Sequence, residues 1–453
     1  MPKLIIPNAY ELYNTSESIL SSSELAARGF YNLRFLWLLE EGDIILLPHK
    51  SNKHFLVYLT RLKNITLSSV TIIAWEKKFG ENMTQALLHP LLIQDLKLAM
   101  FSCNSWTLRT CYFNQTILEL ANNLNIRVQS TLRQLVTDGF IKKMNSKIGF
   151  RQTAKSLAIP IAEGHVCSSV NELAQAMKKL FTTSQQVLIK QDHNGGGRGN
   201  VGVVCGQKYC CKGAEHTIVL NKASGSIDMI ASKIWHQYTS KLNRQLIAEI
   251  YYPSQGTFTA MYGLPENDKQ PILLNYSEIR MEKTWLGVEI PGHRLSAVQV
   301  EQLTQYASKL AKNIQKKGYQ GFICVDVILL HNGKLIFTEV NVRPGAETHA
   351  HILATHLYST DYFKKKVILT RMGLEIDSFK AVYWLLKNNH LLLGPQSEQG
   401  IAILTVGKNY PLQCEYLIVA SNVTRAYALE KQFIQLLEEH KSTLSTETFC
   451  HFG

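Results

Sequence analysis

Two carboxylates, an amide and a guanidinium stand at Asp326, Glu339, Asn341 and Arg343. Asn332-Gly333 lies between the first two and predicts a hairpin joining strands over 321–330 and 334–342. Asp326 is six residues before Asn332, and Glu339 is six after Gly333. A two-residue turn therefore sets the carboxylates opposite one another on paired strands. Alternation puts Glu339, Asn341 and Arg343 on one face. Burying such charges unpaired is unfavourable by several kcal/mol. Hard oxygen ligands suit Mg²⁺, which takes one or two carboxylates plus phosphate oxygens. A guanidinium suits a phosphate or carboxylate. A structural ion-pair cluster around Arg343 is the competing reading of the same residues.

A second group is Lys190 with the glycine-rich run Gly195, Gly196, Gly197, Arg198 and Gly199. Glycine leaves amide N–H groups free to fold over phosphate oxygens. Lys190, at the end of the apolar strand 187–190, can set a positive charge on the α- or β-phosphate. The run is neither a GxxxxGK[ST] loop nor a dinucleotide fingerprint, and a plain hairpin turn also explains it. A third group is Glu249, Ile250, Tyr251 and Tyr252, closing the strand 246–252. An acid there can accept an adenine amino group or ribose hydroxyls, and the following backbone can read the adenine edge. An acid after a strand is also common on protein surfaces.

In this order the three groups resemble the ATP-grasp superfamily over about 146 to 350. The resemblance implies that Lys147 and Lys190 meet the nucleotide phosphates and that residues 195–199 close over them. It makes Glu249, Ile250, Tyr251 and Tyr252 the adenine hinge. Asp326, Glu339 and Asn341 become the metal ligands, for Mg²⁺ with Mn²⁺ as a substitute. Arg343 holds an acyl phosphate or substrate carboxylate. A finer resemblance, to the pheganomycin-type peptide ligases, rests on 42–48 with 55–58, on 253–255, on 287–291 and on 343–349. It implies a pre-ATP-grasp α/β domain (1–145), an ATP-grasp domain (146–355) and a small C-terminal α/β domain (356–453), and it draws Thr348 and His349 to the acyl substrate. Ala346 and Glu347 depart from that family's Gly-Gly-Thr-Thr-His run. Cys324 stands where D-Ala–D-Ala ligases carry an arginine, which leaves Arg280 and Arg343 as the catalytic arginines. The implied activity is ATP-dependent amide formation through an acyl phosphate, from an amino-acid or peptide-like carboxylate and an amine. A carboxylase or a kinase-like enzyme without an amine acceptor is the alternative chemistry.

These groups need elements to hold them. Residues 44–48, ending in proline, read as a buried strand of an open α/β unit. Helices are expected over 168–181, 296–317, 379–388 and 423–440, and strands over 400–407 and 415–420. The fold class is α/β with α+β elements. Residues 115–144 carry two apolar stripes around a polar turn, followed by Gly139-Phe140-Ile141, the outline of a helix-turn-helix with the start of a wing. The chain has 453 residues, and 48 Lys and Arg against 35 Asp and Glu leave a net charge of +13. That charge invites a DNA-binding regulator. Yet 115–144 has no dense basic face, and two amphipathic helices of an α/β domain look the same, so no nucleic-acid partner is expected. No apolar run reaches the ~20 residues of a membrane span. The N-terminus lacks a signal-peptide pattern. The nine cysteines include no CxxC pair, as in a reducing cytoplasm. A homodimer is compatible with all of this.

Overall fold

Serines open many of the helices, each satisfying an otherwise unpaired N–H of the first turn. Ser146, Ser169, Ser226, Ser296 and Ser378 cap helices Lys147–Ser156, Val170–Leu180, Ile227–Tyr238, Ala297–Lys316 and Phe379–Asn388. Ser296 and Gln299 complete a reciprocal capping box. The computed structural model describes residues 1–9, 30–74, 86–193, 197–206, 210–221, 225–240, 243–266, 269–282, 285–407 and 412–450, with 443–450 as backbone only. Gly195 and Gly196 lie outside the described residues.

The strands form three sheets. In the first, β1 (Lys3–Ile6), β2 (Ile44–Leu47), β3 (Thr71–Ala74) and β4 (Thr107–Thr110) run parallel in the order β3-β2-β1-β4. Both faces of its centre are covered, which explains the unbroken apolar run of β2. Leu4, Ile6, Ile44 and Leu46 meet Leu92, Leu96, Ile117 and Leu120. Ile5, Ile45 and Leu47 join a core shared with the C-terminal strands.

The second sheet contains β5 (Gly164–Cys167), β6 (Gln186–Gln191), β7 (Asn200–Cys205), β8 (His216–Leu220) and β9 (Leu246–Ile250), in the order β5-β9-β6-β7-β8. Helices Val170–Leu180 and Ile227–Tyr238 cover it through Leu173, Met177, Ile230 and Ile234.

The third sheet has β10 (Ser254–Leu264), β11 (Ile272–Met281), β12 (Trp285–Ile290), β13 (Gly321–Leu330), β14 (Leu335–Asn341), β15 (Val367–Ile376), β16 (Gly400–Val406) and β17 (Leu412–Ala420). Their order is β14-β13-β10-β11-β12-β15-β17-β16, antiparallel throughout. Helix Ala297–Lys316 packs Leu303, Ala307, Leu310 and Ile314 onto one face. The sheet runs on through residue 356, because β15 pairs with β12 at Glu289↔Leu369.

The segment 115–144 contains helices Gln115–Asn123 and Ser130–Thr137, as its stripes predict. The start of a wing is corrected. Left-handed Gly139 (φ 69°) opens a third short helix, Phe140–Met144. Its Ile141 and Met144 lie in the core with Leu135, Phe150 and Phe258, so the feature that suggested a DNA wing is interior packing. Among the described residues, no helix is long and apolar enough to cross a membrane.

Candidate active site

The hairpin β13–β14 places Asp326 opposite Glu339, although not by the turn the sequence suggests. The loop has three residues rather than two. Leu330 N–H donates to Lys334 O (2.9 Å) and Gly333 N–H to Leu330 O (2.9 Å). Only Gly333 takes a left-handed conformation (φ 81°), whereas a type I′ two-residue turn needs positive φ at both central positions. The longer loop shifts the register by one residue, giving Val327↔Phe337. A β-bulge at Thr338 then shifts it back, and the Thr338 hydroxyl donates to Asp326 O (3.2 Å). Phe337 thereby stays in the core while Glu339 turns to the face of Asp326. Deleting Thr338 should leave Asp326 and Glu339 paired, since the bulge is the surplus residue. Deleting Val340 should carry Asn341 and Arg343 to the wrong face. ATP turnover is expected to survive the first deletion within about tenfold and to vanish with the second, at similar circular dichroism.

Residues opposite one another in a sheet share a face, so the pairings define two polar rows. One runs Ser277–Thr259–Asp326–Glu339 and the next Asn275–Met261–Cys324–Asn341. Asn341 Nδ2 donates to Asp326 Oδ2 (3.2 Å), and Arg343 donates to Asn341 Oδ1 (2.9 Å). Burial, and then the charge of Glu339, push the Asp326 carboxyl well above its usual range. Burial also opposes ionisation of Glu339, but Lys147, Asp326, Arg343 and Lys190 outweigh it and hold that carboxyl low. Crowded carboxylates of this kind are the donor set that a divalent cation relieves.

The cations beside this row come from the helix Lys147–Ser156 and from β6 of the second sheet. Helix Lys147–Ser156 is capped by Ser146, and Asp192 accepts from Ile148 N–H (2.9 Å). Lys147 Nζ, on a helix whose Phe150 and Ala154 pack in the core of the third sheet, reaches Glu339 Oε2 at 3.7 Å. Burial lowers the pKa of Lys147, with Glu339 acting against it. Lys190 Nζ lies 2.5 Å from Glu249 Oε1, and Arg151 holds Glu249 Oε2 at 2.7 Å. Glu249 is thus clamped by two cations, and Arg151 takes a place at the site that its sequence position did not single out. Ile250 ends β9, and Tyr251 and Tyr252 form the crossover into β10, so the expected hinge joins two sheets. Gly197 and Gly199 have φ of 81° and 68° at the β6–β7 tip. The N–H of Gly199 donates to Glu215 Oε2 (3.1 Å).

Two of the expected residues lie elsewhere. Arg280, on the opposite face from Ser277, forms a bidentate pair with Glu430 (3.0 and 2.6 Å) and donates to Thr370 O (2.9 Å). It ties β11 to the C-terminal helix Val423–Cys450. His349 is buried, with Nε2 3.2 Å from Glu415 Oε2. Thr348 does reach the second row, with Oγ1 3.5 Å from Met261 Sδ. Glu278, Glu289 and His293 could hold a metal on the Arg280 face. There Arg294 already pairs with Glu278, and Tyr427 donates to Glu289 (3.1 Å). Sequence reading passed over Asn275 and Ser277, whose signal is the polar alternation within β11.

A family description, the pre ATP-grasp domain, matches residues 32–126. An N5-carboxyaminoimidazole ribonucleotide synthetase solved with ADP is similar over 97% of either chain, at 12% identity and a TM-score of 0.58. The chain has the ATP-grasp fold. Campylobacter jejuni biotin carboxylase, solved with a nucleotide, shares this ATP-grasp architecture at 14% identity and a TM-score of 0.58, over 96% of this chain and 91% of that one. The biotin carboxylase domain of Hydrogenobacter thermophilus 2-oxoglutarate carboxylase, solved as a dimer with MgADP and bicarbonate, is 15% identical with a TM-score of 0.51, over 92% and 86% of the two chains. No curated protein matches the chain in sequence.

Proposed function

We propose that this ATP-grasp chain is an ATP-dependent carboxylate–amine ligase acting on amino-acid or peptide-like substrates through an acyl phosphate. The observation that carries the reading is the approach of Lys147, at the start of its helix, to Glu339, which sets a cation against the Asp326–Glu339–Asn341 row. Phosphoryl transfer needs positioning and charge neutralisation more than covalent help from the protein. Lys147 and Lys190 orient the phosphates, and the Tyr251–Tyr252 crossover receives the adenine. Asp326, Glu339 and Asn341 would hold Mg²⁺, which supplies neutralisation of developing phosphate charge when bound. Arg343, fixed by Asn341, meets the acyl oxygen. Arg280 and His349, given their partners, are assigned to holding the fold. In this reading residues 1–145, 146–355 and 356–453 act as the pre-ATP-grasp, catalytic and C-terminal units.

ADP release screened over amino acids and short peptides, with mass spectrometry of the products, tests the reading; ATP turnover without any amide product rejects it. A second reading, carboxylation, is favoured by the full-length likeness to carboxyaminoimidazole synthetases and biotin carboxylases. Bicarbonate-dependent ADP release distinguishes it. Lys190→Ala should raise the KM for ATP at least about tenfold, because the phosphates lose a charged donor. An unchanged KM would make Lys190 a structural partner of Glu249 alone.

A further inference from the structure

Glu347 stands just past Arg343 at the start of helix Thr348–Leu357, and only 3% of it is exposed. Its side chain accepts from the thiol of Cys324 at 3.1 Å. Among the described residues, no lysine, arginine or histidine lies within ion-pair distance of it. Cys324 belongs to the second polar row, opposite Asn341 and two residues from Asp326. The Glu347 carboxylate therefore borders the metal-binding set without sharing its cations. On the same sheet face, the Ser277 hydroxyl is wholly buried and has no hydrogen-bond partner, and the wholly buried Asn275 amide lies beside the Tyr362 hydroxyl. Space is reserved for Glu347 as well. A Cβ at Gly345 would fall 2.4 Å from Cys324 Sγ and 2.7 Å from Glu347 Oε2.

We propose that Glu347 binds the ammonium group of the amine substrate beside the Asp326–Glu339–Asn341 row and removes its proton. The inference rests on the ligase reading. A buried carboxylate lacking a cation, near two further acids, repels an anionic substrate and attracts a cationic one. Ser277 adds a neutral acceptor for a remaining N–H group. An ammonium has no lone pair, so it must lose a proton before it attacks. Glu347 takes that proton, and the nitrogen lone pair forms a C–N bond to the acyl carbon. The C–O bond to phosphate breaks with its electron pair on phosphate, and the second nitrogen proton leaves on the departing phosphate. The Glu347 proton then passes to solvent.

The test uses the full chain with ATP, Mg²⁺ and an equimolar mixture of the twenty amino acids, which supplies both acid and amine, with and without excess hydroxylamine. Hydroxylamine is neutral at pH 7 and needs no base. Amides are read by mass spectrometry and hydroxamates by their iron(III) colour. In Glu347→Gln the ratio of amide to hydroxamate should fall about 100-fold, the scale of a lost general base. Raising the pH from 7 to 9 should restore much of it. Gly345→Ala, which displaces the carboxylate, should lower the same ratio. Hydroxamate formation reports that each variant is folded. A wild-type ratio in Glu347→Gln, or equal loss of both products, overturns the proposal. Absence of ADP release from the wild type, under these conditions and across the peptide screen, rejects the ligase reading itself.

Discussion

Glu339→Gln is expected to reduce substrate-dependent ADP release by about 10³-fold, equivalent to about 4 kcal/mol of transition-state stabilisation. The change keeps the size of the side chain and removes its charge, so the effect comes from electrostatics. Three interactions meet at this carboxylate. It faces Asp326 across β13–β14, it lies 3.5 Å from Asn341 Nδ2, and it is 3.7 Å from Lys147 Nζ. Lys147 and the neighbouring cations keep it ionised despite its burial. Without that charge, Asp326 remains as the one carboxylate of the row and the Lys147–Glu339 ion pair is lost. ATP binding should then depend little on magnesium concentration, and titration of Mg²⁺ against ADP release measures this directly. Wild-type turnover in Glu339→Gln would show that the row is an ion-pair cluster and not a metal site.

The strands of the candidate site were legible because their chemistry is local. Asp326, Asn332-Gly333 and Glu339 fall within one hairpin, and alternation alone places Asn341 and Arg343 beside them. The correct pairing nonetheless arises from two departures that cancel, a longer turn and a bulge at Thr338, and neither is visible in residue types. Lys190 was found as a charge at the end of a strand, and Lys147 through the family resemblance alone. Lys190 meets Glu249 through the pairing of β6 with β9, and Lys147 meets Glu339 through the packing of its helix on the third sheet, long-range contacts that one sequence does not encode locally. Arg280 and His349 were misplaced for a related reason. An arginine on a strand looks the same facing a cleft or facing Glu430 on a helix 150 residues away. Strand β15 escaped notice because Arg371, Gly373 and Glu375 break its apolar run, although its ends are buried against β12 and β17. The segment 115–144 shows the converse. Its helices were legible, but the core that receives Ile141 and Met144 belongs to the distant third sheet.

The largest effect on stability is expected at Glu415, where three distant parts of the chain meet. Arg34 donates to both oxygens of Glu415 (2.9 and 2.8 Å), and His349 Nε2 lies 3.2 Å from one of them. Tyr31 and Trp285 pack their rings on the Arg34 guanidinium, with centroids 4.8 and 5.1 Å away. Burial would raise the Glu415 carboxyl, but Arg34 and His349 outweigh it and bring its pKa down to about 2. Glu415→Gln strands a buried guanidinium and should lower the unfolding free energy by about 3–5 kcal/mol, read from urea denaturation at pH 7. The pH dependence follows from linkage. The unfolded carboxyl titrates near ~4.3, so above that pH the native state binds no extra proton and the full contribution is present. As the pH falls from there towards about 2, protonation favours the unfolded chain and the contribution is lost. The gap between wild type and Glu415→Gln should therefore narrow from pH 5 to pH 3. A constant gap would mean that shape, and not charge, makes Glu415 necessary. Replacing the pair together, Arg34→Met with Glu415→Leu, should recover much of the stability by removing both buried charges. Since His349 sits on the helix that begins beside Glu347, the single variant should also disturb amide formation, while the double variant separates the loss of charge from the loss of packing.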